Sequence, residues 1–402
     1  MTNLYDASYQ WANRPDDERF ESLDAMRNAT RAYAQKASEA TVPVGSLRAE
    51  ADGGDIKLVG KQNIPAKLTH YSFGQLSARV GAPANYLRGL PATLATQNLN
   101  HGLKKLGQDD GGQDDGQKLQ LLFHKNGSLV TRAITSESYD RVWNHELVSR
   151  IITDLVPQGW RVPPARPARE NQKGTRVATA ADILSNQGDF GLSVKEGDLI
   201  APAGLYASDH DMFAFLVNMG SAAIEDGGKL LNQGLFLQNS EVGDCAIRMK
   251  KFIMDHVCGN HIVWGVSEVN EISVRHVKGS DVKAGESLKK FMAKWNLLLQ
   301  SETSADKVQG DIRKARAFEI AATKDEVLDA LFKFANSRNL NRLTRKALTA
   351  GYDLAEQSPR YGAPTTVWGM VNGLTELSQT TGYADDRTEM DQQSGRIMEM
   401  AF

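Results

Sequence analysis

The chain has 402 residues, 41% of them hydrophobic and 24% charged, an ordinary globular composition that excludes disordered and fibrous classes. That length allows two or three compact units with a sizeable core. A formal net charge of -2 supplies no global positive field, so any nucleic-acid binding must come from local patches. Two cysteines, Cys245 and Cys258, cannot build a disulfide framework, which points to a reducing compartment. The N-terminal residues lack a basic segment followed by an apolar run, and no apolar stretch reaches membrane-spanning length. The expectation is a soluble cytoplasmic protein with no membrane contact.

In chain order, Phe20, Leu23, Tyr33 and Ala37 recur at roughly helical spacing, which predicts an amphipathic helix within 16–40. Ile56, Leu58 and Val59 form a short extended segment. Residues 71–103 read as helical with a break at Gly81, a pattern that also mimics a helix-turn-helix, with Arg79, Asn85 and Arg88 available to DNA. Residues 107–117 repeat Gly, Asp and Gln without an apolar anchor and read as a loop, because the spacing is not that of a calcium-binding EF-hand. Asn126-Gly127 between apolar runs predicts a hairpin, followed by a helix carrying Val142, Leu147, Ile151 and Leu155.

Residues 157–176 are proline-rich and basic, with Arg161, Arg166, Arg169, Lys173 and Arg176, and read as an exposed connector. Short runs rich in apolar and β-branched residues then predict successive strands between 211 and 277. From Ala284 the period becomes helical. Thr323 with Glu326 fits a capping box, and Val367, Met370, Val371 and Leu374 mark a later helix. The fold class is therefore α+β, a central antiparallel β-sheet with flanking helices and an α-helical C-terminal region. It divides into a mostly helical region 1–117, a strand-rich core 118–282 and a helical region 283–402.

Several runs look like family signatures. They are LYASDHDMFAF from Leu205, the run Asn239, Ser240, Glu241, Val242 and Gly243, the turn with Cys258 and Asn260, the strand end Arg275-His276, and a helix with Trp368, Gly369, Asn372 and Glu376. On these the chain resembles the phage/plasmid-like proteins that carry domain of unknown function 932, although His261 stands where that pattern has glycine. The resemblance implies a setting in phages, plasmids and laterally transferred regions, hence DNA metabolism, replication or host takeover. It assigns no chemistry to any residue.

The candidate sites follow from residue types. Gly259-Asn260 reads as a hairpin turn that places His256, Cys258 and His261 on one face, three potential metal ligands whose spacing is no recognised zinc signature. A buried cysteine and a turn asparagine are the competing reading. Ser240 beside Glu241 suggests a nucleophile, but no histidine is fixed nearby by spacing. A turn with Gly243 at positive φ and Asn239 bonded to backbone is favoured instead. Asp209, His210 and Asp211 are not expected to converge on one ion. No phosphate-loop or dinucleotide fingerprint occurs, so no cofactor and no catalytic residue is assigned.

In residues 248–294, cations outnumber acids: Arg248, Lys250, Lys251, Arg275, Lys278, Lys289, Lys290 and Lys294 stand among them. Arg248 and Lys250 share strand parity with Phe252, the cation and aromatic mixture that holds single strands. A solvated sheet face is the bland alternative. The leading expectation is a homo-oligomer that binds single-stranded or recombining DNA, with strand annealing as its task. The alternatives are a host-interaction or regulatory protein that docks a protein partner through its helical last third, and an enzyme or metal site around Cys258, His256 and His261.

Overall fold

The computed structural model of the protein describes residues 18–108, 117–163, 166–167, 175–180, 194–201, 204–218, 224–226, 229–255, 261–263, 271–278, 285–301, 305–358, 361–381 and 383–402. Strand β1 (Glu18–Arg19) leads into helix α1 (Leu23–Gln35), capped by Ser22, whose hydroxyl accepts from the Ala25 N–H at 3.1 Å. The helix expected through residue 40 ends earlier, because Ala37–Pro43 is strand β2. Continuous pairing of β2 with residues 118–124 outweighs the weak helical period there.

Strands β3 (Arg48–Asp52), β4 (Asp55–Val59) and β5 (Pro65–Leu68) follow, so the region read as mostly helical supplies four strands of a sheet. Helices α2 (His70–Arg79), α3 (Ala84–Arg88) and α4 (Ala92–Leu106) come next, with Gly81 at a φ of 72° between α2 and α3. The hairpin of β6 (Lys118–Asn126) and β7 (Ser128–Ser136) turns at Gly127, and the six-stranded sheet runs β2-β6-β7-β5-β4-β3. Leu58, Phe73, Leu76, Leu99, Leu121 and Ile134 form the core between this sheet and its helices.

Helix α5 (Asn144–Arg150) continues into a π turn at Ile151–Leu155. Strand β8 (Trp160–Arg161) opens the connector, whose further parts β9 (Arg166–Pro167) and β10 (Arg176–Val177) pair with β11 (Leu199–Ala201) in a small sheet. The basic connector thus contains short strands. The large central sheet contains β1, β12 (Leu205–Ala207), β13 (Met212–Asn218), β15 (Lys229–Asn239), β16 (Ile247–Asp255) and β17 (His261–Val263) in that order. Strand β14 (Ile224–Asp226) pairs with β15, β18 (Glu271–Val274) with β16 and β8 with β13, and every pairing is antiparallel.

The alternation of side chains gives this sheet two buried faces. On one, Ala214, Leu216, Leu235, Leu237, Ile247 and Met249 pack against α1, α5 and α6 (Glu286–Gln300), which contributes Phe291 and Trp295. On the other, Phe213, Phe215, Phe236 and Phe252 stack with ring centroids 4.9 to 6.3 Å apart. The C-terminal layer comprises α7 (Ala305–Ala317), α8 (Lys324–Ser337), α9 (Arg345–Gln357), α10 (Val367–Ser378) and α11 (Ala384–Gly395). Thr323 and Glu326 make the reciprocal capping box at the start of α8. From α11, Arg387 lies 4.7 Å over the Phe215 ring, so the C-terminal layer covers the aromatic face.

Helices α9 and α10 touch at glycines. A Cβ on Gly373 would lie 2.0 Å from the Gly351 carbonyl oxygen, a distance that only a bare Cα permits.

Candidate functional site

The connection from β15 to β16 carries the Asn239–Gly243 run to the place where the two large sheets meet. Gly243 adopts a φ of 90°, the left-handed conformation that turns the chain there without a Cβ penalty. Asn239 is fully buried, and its amide donates to the Val142 carbonyl at 3.0 Å and to Asn144 Oδ1 at 2.7 Å. Ser240 Oγ donates to the His210 carbonyl at 2.6 Å and accepts from the backbone N–H groups of Val242 and Asp244 at 3.2 and 3.0 Å. Every hydrogen-bonding capacity of this hydroxyl is therefore used within the fold.

Glu241 holds the junction electrostatically. Its Oε2 lies 3.2 Å from Arg132 NH1 on β7, its Oε1 accepts the Asn144 N–H at 2.9 Å, and both side chains are at most 3% exposed. Arg132 also donates to the Asp209 carbonyl at 2.6 Å, and its guanidinium stacks 4.3 Å over Tyr33. Arg141 donates to the Glu241 carbonyl and pairs with Glu39. Gln75 of α2 bridges Val242 and Ile134 through its amide, at 2.8 Å on each side. These buried bonds pin the N-terminal sheet to the central one.

His276, the family-motif histidine, sits beside the junction rather than in it. Its Nδ1 is 3.1 Å from the Asp140 carbonyl, its ring stacks on Tyr139, and burial pushes its pKa down, the Asp140 hydrogen bond opposing. The Asp140 carboxylate caps α6, accepting from Gly285 and Ser287 N–H at 2.7 and 2.6 Å.

On the solvent side lies a second cluster. The atoms of His210, Asp211 and Asp244 that can ligate a metal lie within 4.8 Å of one another. The third member beside His210 and Asp211 is not Asp209 but Asp244, which the β15–β16 connection brings to them. Tyr71 of α2 stacks on the His210 ring at 5.8 Å and bonds to Asp244. Burial, and then the Asp244 charge, hold the Tyr71 phenol far above its usual range, so it remains a donor. Burial, with Asp244 and Asp211 adding to it, likewise raises the Cys245 thiol, against the opposing charge of Arg248. Cys245 is therefore no ready nucleophile.

The cations singled out from sequence separate into several environments. Lys251 is buried on the face opposite Arg248 and donates to Ser301, and Lys250 pairs with Glu271 at 2.8 Å and reaches Gln392 of α11. Phe252 is buried too, so the aromatic and cationic face does not lie open as a stacking platform. Arg161 bonds to the Val156 and Trp160 carbonyls, Arg176 pairs with Glu21 at 2.5 Å, and Lys278 donates to the Glu137 carbonyl. Lys289, Lys290 and Lys294 are exposed on α6, the first pairing with Glu286. Arg248 of β16, opposite Ser273, and Arg275, directly after β18, are both exposed. Neither engages a carboxylate among the described residues.

In the helix-turn-helix candidate, Arg88 bonds to Asn85 and to the His70 carbonyl and lies 5.3 Å over Phe73. Two of its three DNA-facing side chains are thereby engaged within the hairpin. Trp368, Asn372 and Glu376 belong to the helical layer: Trp368 is buried, Asn372 donates to its carbonyl at 2.9 Å, and Glu376 accepts from Tyr361. His256, Cys258 and Asn260, with Arg169 and Lys173, lie outside the described residues, as do the side chains of His261 and Arg166.

Sequence reading found the motif run but missed Tyr71, Gln75, Arg132, Arg141 and Asp244. Asp244 follows Gly243 directly and stood within reach of notice. The others are distant in sequence and meet the run only through the fold.

A family model described as Domain of unknown function (DUF932) matches residues 189–399, which include the β15–β16 connection and most of the helical layer. No curated protein and no solved structure matches the chain.

Proposed function

This chain belongs to the DUF932 family, and from that premise we propose that it is a phage or plasmid protein that binds single-stranded nucleic acid. The observation that carries the proposal is that Arg248 on β16 and Arg275, directly after β18, are both exposed and without a carboxylate partner among the described residues. Each guanidinium offers a phosphate a planar pair of donors. Phe252 is buried and offers no stacking surface, so the contacts of these two arginines are with the phosphates of the bound strand. In its fullest form the reading is strand annealing by a homo-oligomer during replication or recombination.

The test is fluorescence polarisation with short labelled single-stranded and duplex DNA over a salt series. Wild type binds the single strand more tightly, and affinity falls with salt. Arg248→Glu with Arg275→Glu lowers affinity at least tenfold and reduces the logarithmic salt slope by about 1.4, roughly 0.7 for each lost phosphate contact on a single strand. Absence of binding at low salt, or a double variant that binds as wild type does, overturns the proposal.

A further inference from the structure

We propose that His210, Asp211 and Asp244 form a site for a divalent cation of the zinc or manganese class. The proposal stands on the geometry of two connections and does not depend on nucleic-acid binding. The candidate ligand atoms lie within 4.8 Å of one another. Ligands around a tetrahedral ion with bonds of about 2.1 Å are separated by about 3.4 Å, so small side-chain rotations close the gap.

The two connections are held in place independently of any ion. Ser208 organises the first: its N–H donates to the Asp211 carbonyl at 2.9 Å, and its hydroxyl accepts from the His210 and Asp211 N–H groups at 3.3 and 3.0 Å. The same hydroxyl donates to Asp211 Oδ1. Ser240 ties the first connection to the second, bonding at once to the His210 carbonyl and to the Asp244 N–H. Ligands on a fixed frame lose little entropy when an ion arrives.

The orientation of His210 is the independent sign. Asp209 Oδ1 stands 2.7 Å from Nδ1, which leaves Nε2 facing Asp211 Oδ2 at 3.7 Å. A carboxylate behind one ring nitrogen while the other faces the ligand set is the outer-shell arrangement of metal-bound histidines. Two carboxylates meet one imidazole here, and Asp211 is only 1% exposed. One nitrogen and two carboxylate oxygens with an open position suit zinc or manganese, whereas calcium takes six to eight oxygens.

The test is titration of the chelator-treated full chain with Zn2+ and, separately, Mn2+, followed by calorimetry and by metal content after dialysis. Wild type takes up one equivalent at this site. Asp244→Asn, at an exposed position, and His210→Gln each weaken binding at least tenfold while circular dichroism stays native, and Asp209→Asn weakens it less. No bound ion in wild type overturns the proposal. So does zinc uptake that Cys258→Ser abolishes and Asp244→Asn leaves intact, since the ion then resides with His256, Cys258 and His261.

Discussion

Replacing Glu241 with alanine tests whether the motif run is the fastener between the two sheets. Its carboxylate and the Arg132 guanidinium are 3.2 Å apart with at most 3% exposure, so removing it strands a buried arginine charge. Breaking a buried pair from one side costs about 3 to 5 kcal/mol, against a net domain stability of about 5 to 15 kcal/mol. The Asn144 N–H also loses its acceptor, a further cost of about 1 to 3 kcal/mol that overlaps with the first. Glu241→Ala is therefore expected to lose about 4 kcal/mol or more in urea titration. Arg132→Met with Glu241→Leu removes both charges together and is expected to lose less than Glu241→Ala alone. Hydrogen exchange adds location: in Glu241→Ala, protection falls first in β7 and α2, which the junction clamps. A Glu241→Ala protein within about 1 kcal/mol of wild type, with unchanged exchange in β7, refutes the reasoning.

Two further outcomes come from other parts of the fold. Gly373→Ala forces a Cβ against the Gly351 carbonyl and is expected to lose about 3 kcal/mol or to separate α9 from α10, read as a lowered urea midpoint with unchanged folding of the sheets. Burial depresses the pKa of His276, so below pH about 6.5 the unfolded chain binds the proton that the folded one refuses. Stability is therefore full above that pH and declines as pH falls through it. His276→Gln flattens the decline in part, because buried His124 is depressed in the same direction and keeps its share.

The α+β class was legible because its signals are local. The Thr323 and Glu326 capping box, the Asn126-Gly127 hairpin and the stripe of Phe291 and Trp295 each express a rule that spans a few residues. Residues 37–43 escaped for the opposite reason: Ala37–Pro43 becomes strand only because β6, some eighty residues later, pairs with all of it. The site divides in the same way. The strand parity that grouped Arg248, Lys250 and Phe252 holds, but parity does not reveal that α11 covers the same face with Arg387 and Gln392. Arg132 and Tyr71 carry no signal of their own, since their roles exist only once β7 and α2 meet the β15–β16 connection.

The motif run and the carboxylate cluster share Ser240, which makes sensitivity of the run to mutation ambiguous by itself. Loss of Ser240 loosens the His210 carbonyl and the Asp244 N–H together, so a fold defect and a ligand defect arrive as one phenotype. Glu241 and Asp244 separate them. Glu241 is buried, and its carboxylate faces Arg132, so its loss acts through stability. Asp244 is the exposed member of the cluster, and Asp244→Asn keeps a side-chain oxygen to accept from Tyr71, so its effect on stability is expected to stay well below that of Glu241→Ala. A protein that tolerates Asp244→Asn in stability while losing ion binding, and loses stability with Glu241→Ala, has a structural half and a functional half within four residues.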